Sequence, residues 1–279
     1  MKALRFLVIG LVFTGLLTSC KEETDPTPFE LASASTGGVM YDKFWSVESG
    51  FDQLDPNVAL FAAKSDFFRC KQCHAWDLKG DAASYINRGA NANRPRVSGL
   101  DLFTLAKSAS ADELFEDIKK TSGRRDIGFD LTTYDPITNS TEGDKMPNYS
   151  QILTDDQIWD LVKFLKEGAI DVTQLYDYTT TGSYPTGTYT PTNFGKDGNA
   201  TSGKSFYTSQ CQGCHGADGT TISLGGKTVG KFLRTSPHEV QHKVQYGQLG
   251  STMTGQFNMT VSQMKDLYKA LANTTDFPD

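Results

Sequence analysis

Cys70-Lys71-Gln72-Cys73-His74 and Cys211-Gln212-Gly213-Cys214-His215 are two copies of one pattern, Cys-x-x-Cys-His, in a chain of 279 residues. Two thiols separated by two residues can each add across a vinyl group of one porphyrin, which holds the adjoining imidazole under the iron as an axial ligand. This is the attachment motif of c-type haem. Other uses of paired cysteines fit less well. A dithiol centre belongs at a strand-to-helix junction of a βαβ unit, and neither copy sits in one. Structural zinc also favours this spacing, but it leaves the histidine after each second cysteine without a role. The sequence therefore predicts two covalently bound haem c groups, one on Cys70 and Cys73 and one on Cys211 and Cys214, with His74 and His215 as iron ligands.

The start of the chain sets the compartment. Lys2 and Arg5 precede a nearly uninterrupted apolar run from Phe6 to Leu17. That run is shorter than the ~20 residues a spanning helix needs, so residues 1–19 read as a signal peptide. Leu17-Thr18-Ser19-Cys20 resembles a bacterial lipobox, which would make Cys20 the lipidated N-terminus and account for the fifth cysteine. Residues 20–36, beginning Lys21-Glu22-Glu23, read as a polar tether. The expected setting is the cell envelope, lipid-anchored in the periplasm or on the outer-membrane surface. The formal charge of −6 becomes −8 once Lys2 and Arg5 are lost. Such a balance argues against nucleic acid and for redox protein partners with basic docking surfaces.

An internal duplication organises the remainder. Gly37-Gly38-Val39-Met40-Tyr41 is similar to Gly203-Lys204-Ser205-Phe206-Tyr207. Thr154-Asp155-Asp156-Gln157 is matched 106 positions later by Thr260-Val261-Ser262-Gln263. Both of the latter are capping boxes, and each opens a helical apolar stripe: Ile158, Leu161, Val162, Leu165 and Met264, Leu267, Tyr268, Leu271. The predicted units are residues 37–170 and 199–279, joined by a linker over 171–198 whose tyrosines are too apolar for a free string. The first unit is enlarged. Its His74 and Met146 are 72 positions apart, against 38 between His215 and Met253.

A low-spin electron carrier needs a second axial ligand on each iron. In the first unit Met146, within Lys145-Met146-Pro147, is the expected one; the other mature methionine before the linker is Met40. In the second, alignment of the capped helices favours Met253 and assigns Met259 and Met264 to the core. His242 is its competitor. His238 and His242, four apart on one helix face, are expected at the surface or near haem propionates. By resemblance to class I cytochromes c, where a backbone carbonyl near a proline accepts from the proximal histidine, Arg94-Pro95-Arg96 is the expected acceptor for His74 and a source of propionate partners. The Leu224-Gly225-Gly226 turn is the expected counterpart for His215. Trp76 is expected to pack against the haem or its insertion rather than to act as a specific electron conduit.

At both motifs, at Cys214-His215-Gly216-Ala217-Asp218-Gly219 and at the Met146 and Met253 segments, the chain resembles di-haem class I c-type cytochromes. The resemblance covers residues 37–279 and is poor across the first unit's insertions. It implies an all-α architecture, two cytochrome c-like domains in tandem, and single-electron transfer rather than catalysis. Di-haem oxidoreductases of the peroxidase or sulfur-compound type, and electron-transfer subunits of larger oxidoreductases, are the alternatives.

Overall fold

The computed structural model describes residues 25–279. The signal peptide, Cys20 and the first part of the tether lie outside the described residues. The first unit contains α1 (Pro28–Leu31), α2 (Ala34–Lys43), α3 (Val58–Ala63), α4 (Cys70–His74), α5 (Leu102–Ser108), α6 (Ala111–Lys119), α7 (Ser140–Gly143) and α8 (Asp155–Lys163). The second contains α9 (Ala200–Gln210), α10 (Gln212–His215), α11 (Val229–Thr235), α12 (Pro237–Tyr246) and α13 (Val261–Leu271).

The duplication is carried by matching joints. Thr154 and Thr260 each accept from the backbone N–H three residues on, with Gln157 and Gln263 closing the two capping boxes. The apolar stripes of α8 and α13 are buried, with Ile158 and Met264 fully so. Helix α2 crosses α8 where Gly37 meets the Asp160 carbonyl, and α9 crosses α13 where Gly203 meets the Asp266 carbonyl; a Cβ at either glycine would overlap that oxygen. Asp160 Oδ1 accepts the N–H of Ser33 at 2.6 Å, and Asp266 Oδ1 that of Asn199 at 2.7 Å. In each unit, then, one aspartate caps the N-terminal helix while its backbone receives that helix's glycine.

Three features differ from expectation. The architecture is mostly helical but not all-α. The linker carries a hairpin, β1 (Asp177–Thr181) and β2 (Thr188–Thr192), antiparallel with Asp177 opposite Thr192. Its Thr- and Tyr-rich sequence has high strand propensity, and the Tyr178 and Tyr189 rings pack at 5.3 Å. Residues 27–36, read as tether, are packed. Thr27 and Glu30 form a capping box, Phe29 meets Trp159 edge-on at 6.4 Å, and Lys163 Nζ lies 4.3 Å from the Phe29 ring centre.

The third difference concerns α12. His238 and His242 are not at the surface: they are 9% and 1% exposed. This helix lies against the first unit. His242 Nε2 donates to the Gly38 carbonyl at 2.9 Å, Gln241 Nε2 to the Trp76 carbonyl at 3.0 Å, and Tyr246 Oη to the Gly168 carbonyl at 2.9 Å. Lys243 Nζ binds Asp42 Oδ2 at 2.8 Å and sits 4.5 Å from the Trp76 ring centre. Asp42 also pairs with Arg69. Burial opposes the Asp42 charge, but Arg69 and Lys243 outweigh it and hold this carboxyl well below the usual carboxylate range.

Candidate cofactor sites

Each Cys-x-x-Cys-His segment forms a short helix at the wall of a cavity. Helix α4 is followed by Ala75 at φ 61°, and α10 by Gly216 at φ 82°. Both turns are fixed from the N-terminal helix of their own unit. Tyr41 Oη donates to the Ala75 carbonyl at 2.6 Å, and Tyr207 Oη to the Gly216 carbonyl at 2.8 Å. The backbone immediately after each predicted iron-binding histidine is therefore held by an equivalent tyrosine.

The first cavity, about 660 Å³, is lined by Cys70, Cys73, His74 and Met146 together. Leu161 and Leu165 of α8 form part of its apolar wall, and Leu102, Leu105, Leu114 and Ile118 from the insertion form more. The second, about 610 Å³, brings together Cys211, Cys214, His215 and Met253. Leu267 and Leu271 of α13 take the places of Leu161 and Leu165. Met259 and Met264 are in the core, and His242 does not line this cavity. It is turned to the other unit by its bond to Gly38.

The electrostatics suit haem attachment better than dithiol chemistry. Cys70, Cys73, Cys211 and Cys214 are all free of disulfides. Burial pushes the thiols of Cys70 and Cys211 up to about 11 and that of Cys73 to about 12. Reactive redox cysteines are shifted the other way, toward thiolate. Burial brings the His74 imidazole down to about 4 and also lowers that of His215, so both are neutral at pH 7, the form that ligates metal. Among the described residues, no group of three or more His, Cys, Asp or Glu side chains is gathered to hold a bare metal ion. Neither the Arg94–Arg96 segment nor the Leu224–Gly226 turn accepts from the proximal histidines; Nδ1 of each is buried without a partner.

Other sequence readings divide. Arg96 lines the first cavity, whereas Arg94 turns away and donates to the Gly89 carbonyl at 2.8 Å. Trp76 does not line the cavity; it packs with Tyr85 and Val97 of the first unit's insertion and, at the junction of the units, beside Lys243 and His242. Tyr149 is buried and donates to the Phe68 carbonyl at 2.7 Å, whereas Phe257 is half exposed and has no hydroxyl to make such an anchor. The cationic wall of Arg69, Lys120 and Arg124 in the first cavity was not anticipated. Lys120 and Arg124 follow α6 on one stretch and Arg69 stands some fifty positions earlier, so no local pattern joins all three.

Two apolar cavities, each with a pair of cysteines, a neutral imidazole and a methionine, suit cytochrome c-type domains. Residues 59–169 match the family model for cytochrome c, and residues 198–269 match that for cytochrome c oxidase, cbb3-type, subunit III. No curated protein matches the chain, and no solved structure does. The chain thus carries two cytochrome c-type domains, which imply covalently bound haem c and support haem-based electron transfer.

Proposed function

We propose that this chain is a di-haem c-type cytochrome that passes single electrons between redox partners in the bacterial cell envelope. The observation that carries this reading is the composition of the two cavities, each of which gathers two thiols, one histidine and one methionine. Haem 1 would be held by Cys70 and Cys73 with His74 and Met146 on its iron, and haem 2 by Cys211 and Cys214 with His215 and Met253. When bound, the haems supply one-electron Fe(III)/Fe(II) cycling. The protein's part is to keep water from the iron with leucines and to fill both axial positions, so that little rearranges on electron transfer. Lipid attachment at Cys20 would tether the protein to a membrane; among the described residues no helix is long and apolar enough to cross one.

Axial methionines on both irons favour a carrier, or an electron-transfer subunit, over a di-haem oxidoreductase, which needs an open coordination position. The test is optical. Oxidised protein is expected to show a sulfur-to-iron charge-transfer band from each haem. Met146→Ala should remove one band and Met253→Ala the other. A single sulfur band in the unmutated protein, lost in Met146→Ala and untouched by Met253→Ala, would refute the second ligand set.

A further inference from the structure

We propose that Arg125, a buried guanidinium without an acidic partner, raises the reduction potential of the first haem above that of the second, so that electrons pass from domain 2 to domain 1. The inference rests on the di-haem reading above. Arg125 is fully buried. Its Nη2 donates to the Phe67 carbonyl at 2.6 Å, its Nε and Nη1 have no partner, and no carboxylate lies within ion-pairing distance among the described residues. The guanidinium carbon lies 5.8 Å and 5.2 Å from the ring centres of Phe67 and Phe68, immediately ahead of Cys70.

The same residue reaches both sides of the haem 1 site. Its N–H donates to the Met146 carbonyl at 2.9 Å, and its carbonyl accepts from Asn148 at 2.8 Å. The distal loop is therefore fastened to the backbone of Arg125, while the side chain is fastened just before the thioether motif. An arginine in such a place stays cationic at neutral pH. In a medium of low effective dielectric its field is weakly screened, and a fixed positive charge favours Fe(II), the state with one positive charge fewer.

The second domain has no equivalent. Its cavity is lined by one cation, Lys243, and one carboxylate, Glu239, and Lys243 is already paired with Asp42. The first cavity has four cations in its wall, Arg69, Arg96, Lys120 and Arg124, against three carboxylates, Asp81, Asp117 and Asp144; Arg69 is likewise paired with Asp42, and Arg125, without an acidic partner, adds a further cation from behind. Charge balance thus differs between the sites in one direction. Arg125 acts on the iron through space and through the Met146 loop; it is a positioning and tuning residue rather than a ligand.

Spectroelectrochemical titration of the full chain with both haems attached tests this. Arg125→Gln is expected to lower the equilibrium constant for reduction of haem 1 at least tenfold, which is 59 mV for a one-electron couple, and to leave haem 2 in place. Arg125→Lys keeps the charge and should hold haem 1 within about threefold of the unmutated protein. Equal shifts in both variants, equal shifts of both haems, or no shift would overturn the proposal. Should Arg125→Gln fail to fold or lose the Met146 sulfur band, Met253→Ala decides, because only the band of domain 1 then remains. That band should bleach at the higher of the two midpoints of the unmutated protein; bleaching at the lower midpoint contradicts the proposal. A chain with fewer than two haems would instead refute the underlying reading, whatever the potentials.

Discussion

Gly216 and Ala75 stand at the same turn of the two motifs, yet one is glycine and the other is not. Gly216, at φ 82°, has Thr221 so close that an added Cβ would overlap its hydroxyl. Gly216→Ala is therefore expected to cost roughly 1–3 kcal/mol through backbone strain, seen as a lower denaturation midpoint of domain 2 by circular dichroism. Ala75 already accepts a left-handed φ, and its methyl is fully buried. The residues of the motifs were legible in the sequence because thioether chemistry demands a contiguous spacing. Arg125 was not. Its significance comes from what surrounds a lone arginine, a phenylalanine pair nearly sixty positions earlier and a loop some twenty positions later.

Among elements, the paired terminal helices were readable because their signals are local: a capping box and a stripe at helical spacing. The glycines at the crossings complete the arrangement. Gly37→Ala and Gly203→Ala should each destabilise their own domain by ~1–3 kcal/mol through overpacking, whereas Thr260→Ala, which removes only a cap, should cost ~1 kcal/mol. Chemical denaturation followed at each haem would separate the two domains. Helix α12 was misread for a physical reason. One face carries Val240 and Val244 toward its own domain, and the opposite face, with Gln241, His242 and Lys243, looks like a solvated surface. It is buried instead against α2 and Trp76, with partners more than 150 positions away in sequence. Asp42→Asn would leave Arg69 and Lys243 buried beside a neutral amide. A loss of about 3–5 kcal/mol, with earlier proteolysis in the linker, is the expected outcome.

For the molecule as a whole, the two domains should behave as one body whose docking depends on pH. Burial brings both His238 and His242 down to about 3 from the usual 6.5, so both are neutral when the domains are docked. Between these values the undocked or unfolded chain binds more protons than the docked one. Stability from this source is complete above about pH 6.5 and falls as pH drops toward 3, by about 1.4 kcal/mol per pH unit for each histidine. Small-angle scattering should accordingly show a compact particle at pH 7 and a looser one near pH 4. His242→Phe, which cannot take up a proton, should reduce the slope. A stability that rises on acidification in this window would contradict the buried placement of α12.

Cavities of about 660 and 610 Å³ leave room for a cofactor within each domain. Small domains bury little surface alone, so chains that never acquired haem should be largely unfolded by circular dichroism. The duplication was evident from sequence; the hairpin between the units and the charged interface were not, because neither follows from a pattern within one segment. The most direct measurement is the alkaline pyridine haemochrome spectrum of denatured protein, set against protein concentration from amino-acid analysis. Two covalently attached haems per chain are expected, falling to one in Cys211→Ser/Cys214→Ser; a ratio of one or zero in the unmutated chain would contradict the reading of this protein as a two-centre electron carrier.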